Sequence, residues 1–99
     1  MVKLVVLYKK PADVSAFETH YKEIHAPLAK KMPGLKELEV CHFTGSPGGE
    51  AKFYMMAELY FDTKEVMMSA LGSPEGKAAA KDVMSFAGDL IHMMFADVA

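Results

Sequence analysis

His20, Tyr21 and His25 fall within the run FETHYKEIHAPLAKKMPGL, with Pro27 placed where the same helix should still be running. An imidazole titrates near neutrality and a phenol holds its proton well above it. A neighbouring pair can therefore move a proton and hydrogen-bond an oxygen. The helix that carries them decides whether they act together. At about 100° per residue from Phe17, Ile24 and Leu28 lie within about 20°, Tyr21 about 40° to one side and His25 about 80° to that side. Tyr21 and His25, at i and i+4, are expected as neighbours on the border of a buried stripe made by Phe17, Tyr21, Ile24 and Leu28. His20 falls about 60° to the other side, so His20 and His25 are about 140° apart, too far to share an ion, and no metal site is expected. Pro27 withholds a donor from the carbonyl of Glu23, so the helix is expected to kink or end there. His25 would then sit in a last turn whose carbonyls favour its protonated form.

Four further groups bear on such a site. His42 and His92 lie in otherwise apolar strands, and either becomes a second acid–base group if it reaches the cavity of His25. Glu58 shares a strand face with Tyr54, Met56 and Tyr60, where a carboxylate must pair or rise in pKa. Tyr8 adds a hydroxyl. The expected set is His25 as proton carrier, Tyr21 as hydrogen-bond donor and His92 as assisting group. Tyr8, His42, Glu58, Ile24 and Leu28 would contact the ligand. A His–Tyr pair also closes the rim of many ordinary cores, and spacing alone leaves both readings open. Cys41, the one cysteine, has no base on its own strand face and reads as filling.

The elements that must position these residues are legible from periodicity. VKLVVLY (2–8) is apolar on both faces and reads as a central strand. A helix follows from Pro11 and Asp13 to about Lys31, closed by Pro33-Gly34. LKELEVCHF (35–43) alternates, with Glu37 and Glu39 on one face, as on an edge strand. TGSPGGEAK (44–52) is a turn-rich link, which makes FYMMAELYF (53–61) the antiparallel partner and a second central strand. Residues 63–88 are helical in two pieces: Gly72 closes the first, and Ser73 caps the second with Pro74 in its first turn. LIHMMFADV (90–98) is the last strand. The order β-α-β-β-α-β is that of a ferredoxin-like split βαβ, an α+β fold in which two helices cover one face of a four-stranded antiparallel sheet.

Ninety-nine residues make one domain, residues 1–99. Three of the four strands are nonetheless apolar on both faces, and 52% of the chain is hydrophobic, including nine methionines. A second copy packed sheet to sheet, a homodimer, is the simplest cover for the open face. Eleven basic against 13 acidic residues, net −2, give no polycation for nucleic acid or anionic lipid. No apolar run is long enough to span a membrane, and one cysteine permits no internal disulfide, so a cytoplasmic protein is expected.

The first run, followed by a strand and later by SPEGKAAAKDVMSFAG, resembles the EthD family, whose pattern is an aromatic, His-Tyr, His-x-Pro-Leu and Pro-Gly at the helix exit. Phe17, His20, Tyr21, His25, Pro27, Leu28, Pro33 and Gly34 match it, as do the later Ser-Pro-Glu, Asp82 and Phe86. The resemblance spans almost the whole chain. It implies a dimeric α+β barrel with a cavity between helices and sheet in each subunit. The family is grouped loosely with oxidoreductases, and similar small barrels include cofactor-free monooxygenases, lactone isomerases and polyketide cyclases. The expected activity is therefore acid–base chemistry without a bound cofactor on a small, largely apolar organic molecule. The alternatives are a cofactor-free oxygenase and a non-catalytic ligand-binding accessory of an oxidative pathway.

Overall fold

The computed structural model describes residues 1–99. Strand β1 (Val2–Tyr8) leads to helix α1 (Val14–His20), which runs on through a π-helical turn (Tyr21–His25) into α2 (Ala26–Ala29). Strands β2 (Glu37–His42) and β3 (Met55–Phe61) follow, then α3 (Lys64–Gly72), α4 (Pro74–Ala87) and β4 (Ile91–Asp97). The sheet order is β2-β3-β1-β4 with every neighbour antiparallel, the ferredoxin-like α+β arrangement. Of the three strands with hydrophobes on both faces, β1 and β3 occupy the centre and β4 is an edge, opposite the glutamate-bearing edge β2.

Register assigns the faces, because directly opposed residues share a side of the sheet. Leu4, Val6 and Tyr8 oppose Leu59, Ala57 and Met55, and all six are buried beneath the helices. Lys3, Val5 and Leu7 oppose Tyr60, Glu58 and Met56 on the open face. That face is mixed. Val5, Leu7, Met56 and Met94 make an apolar centre, whereas Lys3 pairs with Glu58 and Tyr60 donates to Glu39 at the end nearer β2.

Capping follows the sequence signals. The side chains of Asp13, Thr63 and Ser73 accept from the backbone N–H groups of Ala16, Val66 and Gly76. Ser73 lets α4 start directly after α3, and that abrupt join demands a glycine. A Cβ on Gly76 would lie 2.1 Å from the Ala70 carbonyl oxygen and 2.7 Å from that of Leu71. Gly76→Ala is therefore expected to destabilise the protein by about 1–3 kcal/mol despite alanine's better helix propensity, read as a lower urea midpoint at unchanged slope.

The helix through the chemical run departs from expectation. The N–H of Ala26 bonds the carbonyl of Tyr21, five residues back, and the chain continues helically past Pro27 to Ala29. One wide turn moves the carbonyls away from the proline ring and absorbs its missing donor, so the helix neither ends nor kinks sharply. The extra residue in that turn also shifts the buried stripe by one. Phe17, Tyr21, His25 and Ala29 are buried, whereas Ile24 is 48% exposed and Leu28 is only half-buried. Tyr54 also differs from expectation. It precedes β3 rather than belonging to it, leaves the pleat, and turns its ring towards Phe17 on the helix side.

Candidate functional site

Between α4 and the sheet lies a cavity of about 330 Å³ lined by 19 residues, 17 of them hydrophobic with the two tyrosines counted among these. So apolar a wall selects an apolar ligand, and the few polar groups must orient it. Leu4, Val6, Ala57 and Leu59 form the sheet side. On α4 the facing residues are small, Gly76, Ala79 and Ala80 followed by Val83, and this leaves the space. Met84, Met93 and Phe95 line it where they are about half exposed, which puts its mouth along the seam between α4 and the edge strand β4.

Three polar side chains reach the cavity wall: Tyr8 from β1, and Tyr21 and His25 from the two ends of the π turn. The rings of Tyr21 and His25 are tilted at 5.4 Å between centroids, and Tyr8 meets Tyr21 edge-on at 5.8 Å. His25 is anchored from behind: its Nδ1 donates to Oδ2 of Asp82 on α4 at 3.0 Å. An ionised carboxylate only accepts, so Nδ1 carries the proton and a neutral ring presents a lone pair at Nε2. Nε2 has no protein partner, and no buried polar side-chain atom in the molecule is left both sealed and unbonded, so Nε2 meets open space.

His20 completes the anchor. Its Nε2 donates to Asp82 Oδ1 at 2.9 Å and to Oδ2 at 3.1 Å. Two histidines expected far apart thus meet on one carboxylate, because i→i+5 bonding brings residues five apart onto the same side of the helix. Phe86 holds both rings, stacked on His20 at 4.2 Å and 5.3 Å from His25.

The electrostatics separate the roles. Burial pushes His25 below its ordinary 6.5; the Asp82 hydrogen bond opposes this without reversing it, and the charge of His20 adds to the lowering. The ring is therefore neutral at pH 7, not the cation that a helix C-terminus would favour. Burial, reinforced by the charge of Glu18, pushes Tyr21 up to about 12, and burial raises Tyr8 further. Both phenols keep their protons and serve as donors. Stability follows with a definite sign. Below pH 6.5 the unfolded chain binds a proton that folded His25 resists, so stability is full above 6.5 and declines as pH falls towards the folded pKa. Relative to wild type, His25→Gln is expected to flatten the urea midpoint across that window.

The other expected contacts lie elsewhere. His92 opposes Leu7 on the open face of the sheet, beside Phe53, and is exposed. Glu58 is on that face too, paired with Lys3. His42 is on the helix side but at the far rim, bonded with Tyr54 to Glu18. Ile24 and Leu28 do not line the cavity, because of the one-residue shift described above. His20 and Asp82 were absent from the expected set. The clue to His20 was Pro27 itself, since a proline inside a continuing helix calls for a wide turn upstream. The clue to Asp82 was an acid in the interior of an alanine-rich helix, one turn before Phe86.

No three His, Cys, Asp or Glu side chains are grouped so as to hold a metal ion, and no helix is long and apolar enough to cross a membrane.

The model of the EthD domain matches residues 9–89. An uncharacterized 11.0 kDa protein in the thcB–thcC intergenic region of Rhodococcus erythropolis is 36% identical over 97 residues, covering 98% of this chain and 94% of that protein. The crystal structure of an EthD family protein from Bacillus halodurans C-125 superposes with a TM-score of 0.97 at 47% identity, over 100% of this chain and 99% of that one. A dimeric protein of ferredoxin-like fold from Bacteroides fragilis NCTC 9343 shares the architecture at 21% identity, with a TM-score of 0.65 over 98% of this chain and 95% of that one. This chain belongs to the EthD family.

Proposed function

We propose that the protein is an enzyme in which His25 acts as general base on a small, largely apolar molecule bearing a carbonyl or similar polarised group. The observation that carries this reading is the hydrogen bond from His25 Nδ1 to Asp82 Oδ2, which leaves Nε2 unbonded on a ring that lines an apolar cavity. Nε2 removes a proton from a carbon or hydroxyl next to the polarised group, Asp82 stabilises the resulting imidazolium, and the phenol of Tyr21, backed by that of Tyr8, donates to the oxygen on which negative charge develops. The chain supplies base, orienting carboxylate and donors from its own side chains. Turnover should rise with pH through a midpoint below 6.5 and then stay level into the alkaline range, because both phenols hold their protons there.

The test is proton exchange in D₂O across a panel of small aryl and alkyl carbonyl compounds, followed by ¹H NMR. Catalysed exchange next to a carbonyl supports the reading. Thermal stabilisation by these compounds with no exchange or conversion would instead make the protein a binding module.

A homodimer is the working unit in this reading. Support comes from the apolar centre of the open face, Val5, Leu7, Met56 and Met94, spread over three adjacent strands, and from the dimeric state of the Bacteroides protein. Leu7→Glu would bury two unpaired carboxylates across the two-fold axis, and is expected to weaken dimerisation by about 10²-fold or more in sedimentation equilibrium. A wild-type chain that sediments as a monomer at micromolar concentration would overturn the assignment.

A further inference from the structure

A second hollow lies on the outer side of the same helices. It is a groove of about 520 Å³ between the start of α1 and the end of α4, and His20 and Phe86 are in its wall. The inner cavity is lined by His25 and the outer groove by His20, while Asp82 lines neither and stands between them. Side-chain exposure falls along the series, from 29% at His20 to 15% at Asp82 and 9% at His25. Nδ1 of His20 has no protein partner and is not sealed from solvent, and the ring lines the groove.

We propose that His20 and His25 share a single positive charge across Asp82, so that a proton taken up by His25 inside the cavity is matched by one released from His20 into the outer groove. Both rings donate to Asp82, and Oδ2 accepts from each, at 3.1 and 3.0 Å. One carboxylate offsets one imidazolium; a second cation beside the same oxygen is opposed by like-charge repulsion in a partly buried site. The exchange balances without a proton passing through Asp82. The substrate's bond to hydrogen breaks as His25 Nε2–H forms, and His20 Nδ1–H breaks as groove water takes that proton. Asp82 stays ionised and keeps both hydrogen bonds. Return of the proton to the substrate or product reverses each step.

Asp13 and Asp89 line the outer groove with His20, and the other groups around the pair are two phenols and the carboxylate of Glu18. Tyr8 from β1 and Tyr21 beside His25 hold their protons far above neutrality. Glu18 is engaged by Tyr54 and His42. The lowering of His25 by the charge on His20 agrees with the geometry. The proton's origin in a substrate rests on the acid–base reading above. The charge sharing itself is a property of the ligand-free protein, so the two fail separately.

The experiment is a pH titration of the ligand-free chain followed by long-range ¹H–¹⁵N NMR of the imidazole nitrogens. In the wild type, the two histidines should titrate as a coupled pair in two steps, each moving the other's shifts. His20→Gln keeps an amide donor for Asp82 but cannot carry charge, so His25 should titrate in one step with its midpoint moved upward. The reciprocal His25→Gln should move the midpoint of His20 upward, and it keeps the question open to measurement if the first variant folds poorly. A His25 curve unchanged by His20→Gln, or a His20 curve unchanged by His25→Gln, would overturn the proposal.

Discussion

His25→Gln is expected to lower kcat/KM by about 10²- to 10⁴-fold, the range that a positioned general base contributes. Glutamine is chosen because its amide N–H can replace Nδ1 in donating to Asp82, and its length nearly fills the space of the ring. It cannot take a proton. His25→Ala confounds two effects, because it also opens a void and leaves Asp82 with one partner fewer. The assay is the exchange reaction on whichever carbonyl compound the wild type processes, with thermal unfolding recorded on the same samples. Unfolding near the wild-type temperature at pH 7 together with lost exchange assigns the proton to His25. Exchange at the wild-type rate would mean that the base lies elsewhere in the cavity, where only the two phenols remain, and both are held protonated.

Much of this site was legible in the sequence because it depends on local signals. Val2–Tyr8 is apolar at nearly every position, and it forms a central strand with those bounds. Ser73 and Pro74 start α4 where their capping chemistry requires. The pairing of Tyr21 with His25 needed only a spacing of four. What was not legible depends on contacts between distant segments or on rare backbone geometry. Pro27 admits two answers, a helix that stops or a helix that widens, and the chain takes the second because Ala29 and Met32 beyond it are buried in the core. That choice moved Ile24 outward and brought His20 to Asp82. The position of His92 follows from its pairing with Leu7, and Leu7 itself faces away from the helices. Alternation within β4 shows two faces without saying which one meets α4. Asp82 lies 62 residues beyond His20 and 57 beyond His25, and only the packing of α4 against the π turn joins them.

Because Asp82 sets which ring nitrogen of His25 carries the proton, Asp82→Asn is expected to reduce turnover more than its small structural change suggests, by about 10⁴-fold. Asparagine is nearly isosteric, but it can turn a donor towards Nδ1. The imidazole then places its proton on Nε2, and the lone pair that faced the cavity is lost. A hydrogen-bond donor now points at the substrate where an acceptor is needed. Any fraction of rings that keeps the original tautomer faces a second handicap. Asp82 raises the basicity of His25 through its hydrogen bond and its charge, so without it the pKa falls further below 6.5. The midpoint of the remaining activity should move to lower pH, while the level above it stays depressed. A merely structural role for Asp82 would lower activity at every pH with the midpoint fixed. Imidazole ¹⁵N shifts supply an independent reading, since the variant should exchange an Nδ1–H signature for an Nε2–H signature at neutral pH. If the tautomer is retained and the pH midpoint does not move, Asp82 serves only to pack α4 against the π turn, and the base must draw its orientation from Tyr21 and Phe86.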